Sequence, residues 1–238
     1  MNRFSVSVKG VLEVNGKYLL RKNQRLECEL LGGHLERDDS TAEQRLITEF
    51  AEESGIQIEV LEHREPWLYE VGSKNIIIVP YICGAVRIPD VLTDQDGGTL
   101  HWLGAEKAAA SLMPQGYKDT LRGEIPHRSY SAPSGSFFKI IPGYAESDYY
   151  VEVRVRERRA ELLRAPLPHR CAPRDLIARV LGAMYEGAKL ISEPVGIDRA
   201  RNTVTLNYRI LWQRELRAGG HTPWPTTKSS SAARGSTI

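Results

Sequence analysis

Hydrophobic and polar positions alternate near the amino-terminal end of the chain. Residues 6–14 have the period-two pattern of a β-strand, and the apolar segment 18–20 resumes it after a short interruption. The interruption is Asn15-Gly16, the dipeptide most typical of a two-residue hairpin turn. The pattern therefore predicts an amino-terminal β-hairpin.

A tight turn and a helix are predicted next. Gly32-Gly33 permits backbone angles and close approaches that side chains would block. Ser40, with Glu43 three residues later, forms a capping box that predicts the start of a helix. Gly55 is a suitable left-handed residue to end that helix.

The next seventy residues hold mostly strand patterns. Strands are predicted at residues 56–60, 67–71, 76–86 and 100–103, and short helices at 105–112 and 117–122. Together with the hairpin and the first helix, they predict a domain of the α+β class over residues 1–124, in which helices flank a mixed β-sheet.

The composition changes to Pro, Ser, Gly and His over residues 125–135, which predicts a linker. A smaller, basic α+β domain of ββαββ order is predicted over residues 132–216. Its elements are a hairpin of residues 137–141 and 149–156, a helix at 175–188, and strands at 189–195 and 203–212. Residues 217–238 contain few apolar side chains and predict a disordered tail.

Composition excludes several classes of protein. The 238 residues are 41% hydrophobic and 26% charged, an ordinary globular balance. The longest nearly apolar run, residues 76–86, is too short to cross a bilayer of about 30 Å, and the sequence MNRFSVSVKG lacks the apolar region of a signal peptide. Cys28, Cys83 and Cys171 have no metal or redox spacing and are expected to be buried apolar residues. We expect a cytoplasmic protein.

Charge is distributed unevenly along the chain. Residues 1–125 carry 14 Lys and Arg against 20 Asp and Glu, a net charge of −6, whereas residues 126–238 carry 18 against 10, a net charge of +8. An acidic half suits a site for divalent cations, and a basic half suits phosphate, nucleic acid or the acidic half itself. A drift of surface charge between domains would explain the same numbers.

Three carboxylates share one face of the first helix. At about 100° per residue, Glu49, Glu52 and Glu53 lie close together around the helix axis. Like charges at this spacing repel by tenths of a kcal/mol, roughly, and do not stabilise the fold. They are either a solvated helix face, with Arg45 paired to Glu49, or ligands for a hard cation such as Mg²⁺ or Mn²⁺.

The surroundings of these carboxylates resemble the Nudix hydrolase family. Its signature is G-x5-E-x7-R-E-U-x-E-E-x-G-U, where U is a bulky apolar residue, in a strand-loop-helix-loop. The matching residues, in chain order, are Gly33, Glu49, Phe50, Glu52, Glu53, Gly55 and Ile56. Thr48 stands where the family has arginine, and the first glutamate position falls on Asp39 or Ser40 because the segment is one residue longer than the signature. The resemblance covers about residues 4–124.

The resemblance implies a Mg²⁺- or Mn²⁺-dependent hydrolase that cleaves the pyrophosphate of a nucleoside diphosphate derivative. It implies metal binding by Glu49, Glu52 and Glu53, and general-base catalysis by Glu49 or Glu53. Glu36 and Glu70 are other candidate bases. Substrate contacts are expected from Gly33, Glu36 and Arg45, with Arg45 partly replacing the missing family arginine.

A second hypothesis is a catalytically weak nucleotide sensor of Nudix type, with a carboxy-terminal domain that binds DNA or a protein partner. The basic residues Arg154, Arg156, Arg158 and Arg159 lie on and after one predicted strand, where they could line a substrate pocket, form a homodimer contact or face solvent. DNA readers commonly present a basic helix, so nucleic acid is the less favoured partner.

Overall fold

The computed structural model describes residues 3–23, 26–71, 74–94, 97–124, 130–131, 148–185 and 188–212. Within these ranges the chain forms twelve strands and four α-helices, followed here in chain order. The strands are β1 (Arg3–Val14), β2 (Lys17–Lys22), β3 (Cys28–Glu29), β4 (Gln57–His63), β5 (Trp67–Val71), β6 (Lys74–Arg87), β7 (Thr99–Gly104), β8 (Tyr130–Ser131), β9 (Tyr149–Glu157), β10 (Ala160–Pro166), β11 (Ala188–Asp198) and β12 (Thr203–Trp212). The helices are α1 (Ala42–Ser54), α2 (Ala105–Ala110), α3 (Gln115–Arg122) and α4 (Pro173–Leu181), the last followed by a 3₁₀ turn at Gly182–Tyr185.

The strands form one mixed sheet. Its main path runs β11-β12-β9-β1-β6-β5-β8, with β10 paired to β9, β4 to β6, and β2 to β1, β3 and β7. The central neighbours β1 and β6 are parallel, with Ser5 opposite Ile76 and Leu12 opposite Cys83. The predicted α+β class, with a mixed sheet and flanking helices, is confirmed.

The amino-terminal hairpin is present, but its two strands soon separate. Asn15 and Gly16 have positive φ angles of 51° and 73°, as a tight hairpin turn requires. Pairing between β1 and β2 is confined to the residues beside that turn. Beyond it, β1 pairs with β6 and β2 pairs with β7, so the hairpin bridges two parts of the sheet.

Helix α1 begins one residue later than the capping box predicts. Thr41, rather than Ser40, is the N-cap, and its hydroxyl accepts a hydrogen bond of 3.1 Å from Gln44 N. Gly55 ends the helix with a φ of 69°, as expected. The shift leaves the carboxylate face of α1 in the predicted place.

The described carboxy-terminal elements are β9, β10, α4, β11 and β12, and the hairpin among them consists of β9 and β10. Residues 160–166, which had no predicted strand, pair with β9 after a turn at Arg158, whose φ is 50°. The predicted strand at 137–141 and the predicted tail lie outside the described residues. The predicted helix at 175–188 is α4 and the 3₁₀ turn, because Gly182 with a φ of 47° ends the α-helical geometry.

One hydrophobic cluster extends through both halves of the chain. It includes Phe4, Phe50, Tyr149, Ile177 and Leu206, all buried. A second cluster surrounds Trp67, whose ring makes edge contacts with Tyr69, Tyr117 and Tyr130. The division into domains near residues 125–135 stays a prediction; of that segment the structure describes residues 130–131, which pair with β5.

Cys28, Cys83 and Cys171 are unpaired and buried, as predicted. Among the described residues, no helix is both long enough and apolar enough to cross a membrane.

Candidate active site

The double glycine lies against β1 at the foot of α1. The segment joins β1 through hydrogen bonds of 2.9 Å from Val8 N to Gly33 O and 2.8 Å from Leu35 N to Val6 O. Gly32 has a φ of 122°, and a Cβ atom there would lie 2.3 Å from Val8 O. A Cβ atom on Gly33 would lie 2.1 Å from Glu49 Oε1. Gly32 is therefore needed for the backbone to fit against β1, whereas a side chain at Gly33 would displace the Glu49 carboxylate.

Glu53 lies buried beneath this turn. Its Oε2 accepts a hydrogen bond of 3.0 Å from Gly32 N, and its Oε1 lies 3.6 Å from Arg21 Nη1. Burial raises the pKa of Glu53, although Lys9, the Gly32 N–H and Arg21 oppose the shift. The surrounding positive charge thus falls short of offsetting the desolvation of this carboxylate.

Glu49, one turn earlier on α1, is also buried and faces Gly33. It forms an ion pair with Arg45 at the i, i+4 spacing that the sequence indicates. Burial raises the pKa of Glu49, and the Glu53 charge adds to the shift while Arg45 opposes it. Glu49 and Glu53 are therefore two buried carboxylates on α1 at the glycine turn, and desolvation dominates the pKa of each.

Glu52 lies on the same helix but is exposed to solvent. Of the three carboxylates in the predicted metal site, Glu49 and Glu53 are buried at the glycine turn and Glu52 faces solvent. Within the described part of the chain, no three His, Cys, Asp or Glu side chains are grouped to hold a metal ion.

Arg45 links α1 to the loop before it. Its Nη2 lies 3.0 Å from Glu36 Oε1, and its Nε lies 4.0 Å from Asp39 Oδ2. Because the same guanidinium pairs with Glu49, Arg45 connects two of the predicted site residues, Glu36 and Glu49. That Arg45 takes over part of the task of the family arginine, which is Thr48 here, stays a prediction.

Lys9 and Arg21 are two basic side chains of the site that the sequence analysis did not identify. The buried Lys9 ammonium donates a hydrogen bond to Gly32 O. Arg21 Nε donates a hydrogen bond of 2.7 Å to Asp94 Oδ2, and Arg21 Nη1 lies 3.3 Å from Glu29 Oε1. Both residues lie in strands, where their alternation suggests a solvated face. What the alternation does not reveal is that both faces of β1 are buried. The Lys9 ammonium therefore lies inside the protein, at Gly32 O and close to Glu53.

Other residues considered from the sequence lie elsewhere or have other partners. Glu70 lies on β5, where it pairs in register with Asn75 of β6. Arg154 and Arg156 point away from the buried valines of β9 and pair with Glu161 at 2.6 Å and Glu193 at 2.8 Å, respectively. These two arginines therefore belong to the charged face of the sheet.

His34, next to the glycines, contributes a half-buried imidazole. Burial, together with the nearby charges of Lys9 and Lys74, lowers its pKa to about 4. The ring is consequently neutral at pH 7.

No family model matches the sequence, and no curated protein matches it. Comparison with solved structures does find similar folds. Several of them are Nudix or MutT proteins. A NUDIX hydrolase from Nitrosomonas europaea is 18% identical, with a TM-score of 0.43 over 52% of this chain and 93% of that chain. The mMutator MutT protein from Bacillus halodurans is 14% identical, with a TM-score of 0.46 over 57% of this chain and 95% of that chain. A NUDIX-family hydrolase from Clostridium perfringens is 16% identical, with a TM-score of 0.43 over 51% and 95%.

Proposed function

We propose that this chain is a Nudix-type hydrolase that cleaves the pyrophosphate bond of a nucleoside diphosphate derivative and depends on Mg²⁺ or Mn²⁺. The observation that carries the proposal is the geometry of two buried carboxylates, Glu49 and Glu53, which α1 presents to the glycine turn at Gly32 and Gly33. Burying two carboxylates close together carries a desolvation cost that a bound cation would offset.

The residues fit a divalent ion by donor type and by charge. Mg²⁺ prefers carboxylate oxygens and is usually held by one or two of them, with waters and substrate phosphate oxygens completing its shell. Two buried carboxylates with the exposed Glu52 beside them suit this mode of binding, which needs no cage of three protein ligands. We assign Glu49, Glu52 and Glu53 as the residues that would hold the ion.

The ion would neutralise the pyrophosphate and make an attacking water more acidic. The chain's own contribution is to accept a proton and to position the groups. We assign proton acceptance from that water to Glu49 or Glu53, the two buried carboxylates at the glycine turn. Arg45 holds Glu49, and the Gly32 N–H holds Glu53, so both carboxylates keep a fixed orientation.

The test is hydrolysis by the purified full chain. A panel of nucleoside diphosphate sugars, dinucleotides and nucleoside triphosphates would be incubated with Mg²⁺ or Mn²⁺, and released phosphate or nucleotide measured. We expect Glu49→Gln, Glu52→Gln and Glu53→Gln to lower kcat by about 100-fold or more while circular dichroism stays unchanged, because each loses a ligand without losing volume.

Glu62→Gln is the matched control, since Glu62 is an exposed glutamate on β4, outside the site. It should retain the wild-type rate. Wild-type rates in the three α1 variants would exclude this metal site.

A nucleotide-binding role without efficient catalysis is the second candidate. The observation that favours it is the positive charge already placed among the carboxylates, from Arg45, Arg21 and Lys9. Binding of a nucleoside diphosphate compound with no turnover on the panel would support it. If its carboxy-terminal part binds DNA, affinity should fall steeply with salt, by a log–log slope of about 0.9 per phosphate contact.

A further inference from the structure

The loop between the double glycine and α1 contains a compact turn, residues 36–39, which we call the site turn. Glu36 N donates a hydrogen bond of 2.6 Å to Asp39 Oδ2, and Asp39 N donates one of 3.1 Å to Glu36 O. The segment from Gly33 to Glu49 that contains this turn is one residue longer than the Nudix signature. The extra length is thus accommodated by a closed, hydrogen-bonded turn or by the helix start that follows it.

The site turn is connected to the carboxylate pair through one side chain. Glu36 and Asp39 both face the guanidinium of Arg45, which in turn pairs with Glu49. The position of the turn therefore sets where the Arg45 charge lies relative to Glu49.

Two residues of the carboxy-terminal part bind the backbone of this turn. Tyr149 Oη donates a hydrogen bond to Glu36 O, and Arg199 Nε donates one of 2.8 Å to Asp39 O. Burial raises the pKa of Tyr149 to about 12, so its phenol remains a donor throughout the neutral range. Both bonds go to main-chain carbonyls, so they fix the course of the backbone whatever side chain the turn carries.

Both donors are themselves anchored in the sheet. Tyr149 is the buried first residue of β9 and pairs with Phe4 of β1. Arg199 belongs to the turn between β11 and β12, and Asn202 of that turn donates a hydrogen bond of 2.8 Å to Asp148 O. Tyr149 is therefore held by a strand, and Arg199 lies in a short turn that is tied to the start of β9.

We propose that the carboxy-terminal part of the chain is a positioning element for the candidate active site. Tyr149 and Arg199 hold the site turn, and through Glu36 and Arg45 they set the orientation of Glu49. This inference rests on the proposed function for its catalytic consequence. Tyr149 and Arg199 position the site turn, whereas Arg154 and Arg156 of β9 do not contact it.

The experiment uses the full chain with Tyr149→Phe, which keeps the ring, with Arg199→Gln, and with both changes. Loss of one hydrogen bond should speed amide hydrogen exchange of the site turn by about five- to tenfold. The Arg45 Nε–H resonance, assigned by its absence in Arg45→Gln, should shift in the double variant. With an active enzyme, kcat should fall by about tenfold while KM for the nucleoside diphosphate substrate changes less than twofold.

Arg201→Gln is the matched control, because Arg201 is an exposed arginine in the same β11–β12 turn and pairs locally with Asp198 at 3.6 Å. It should leave all three measurements unchanged. Unchanged exchange in the double variant would overturn the proposal, as would an unmoved Arg45 resonance or an unaltered kcat in an active enzyme. If the wild-type chain hydrolyses nothing but exchange and the Arg45 resonance both respond, the proposed function fails while the positioning contact stands.

Discussion

At the scale of single residues, the candidate site shows a conflict between stability and chemistry at Glu53. Its carboxylate is desolvated beneath the glycine turn, and burial raises its pKa despite a backbone hydrogen bond and two nearby cations. The ionised form is therefore less favourable in the folded chain than in the unfolded chain. The resulting loss of folding stability is absent below the unfolded pKa of about 4.3. It grows as pH rises from that value through the raised folded pKa, and it is complete above the folded pKa.

The same residue gives a stability prediction. Glu53→Gln should raise the free energy of unfolding at pH 8 by on the order of 1 kcal/mol, because the amide keeps the volume and can still accept from Gly32 N. The gain should shrink towards pH 4. Urea unfolding at the two pH values measures it, with the exposed Glu52→Gln as the control that changes little. A loss of stability in Glu53→Gln at pH 8 would show that the ion pair with Arg21 outweighs desolvation.

At the scale of elements, only one of two neighbouring hydroxyl residues caps the start of α1. Thr41 caps the helix through its hydrogen bond to Gln44 N, whereas Ser40 is exposed and lies outside the cap. Thr41→Ala should therefore lower the free energy of unfolding by about 1 kcal/mol, and Ser40→Ala by less than about 0.5 kcal/mol. Equilibrium urea unfolding compares the two variants. Equal losses would mean that the cap alternates between the two residues.

Turn and cap residues predicted the elements of the first half well, because these residues show in the sequence where an element begins or ends. Asn15-Gly16 fixes the hairpin turn, and Gly55 fixes the end of α1. Strand β10 had no such mark: its leucines lie among charged residues, and its place depends on pairing with β9. The helical spacing predicted one face for Glu49, Glu52 and Glu53, but their separation into buried Glu53 and exposed Glu52 depends on what packs against α1.

At the scale of the whole molecule, strand pairing connects the acidic and basic halves of the chain. Arg3 and Phe4 pair with Tyr150 and Tyr149, so β1 links the acidic half of the chain to the basic half within one sheet. Neither the sequence pattern nor the opposite charges of the halves could predict this register. Contacts so far apart along the chain leave no local periodicity.

One buried ion pair connects the halves away from the site. Arg174 of α4 contacts Glu65 of the β4–β5 connection through two hydrogen bonds of 2.9 Å, and its Nη2 also donates one of 3.1 Å to Leu190 O. Both side chains are almost fully buried. Removing one partner of such a pair leaves an uncompensated charge in the interior, which typically costs about 3–5 kcal/mol.

Glu65→Gln should therefore lower the free energy of unfolding by about that amount, whereas Glu161→Gln, which breaks the more exposed pair with Arg154, should cost less than about 1 kcal/mol. Urea unfolding measures both. Hydrogen exchange then decides how the halves are coupled: because the sheet and one hydrophobic cluster are continuous, the amides of β5 and β12 should lose protection together in Glu65→Gln. Faster exchange confined to α4 and β12 would show that the carboxy-terminal part unfolds independently, as the sequence-based division into two domains predicts.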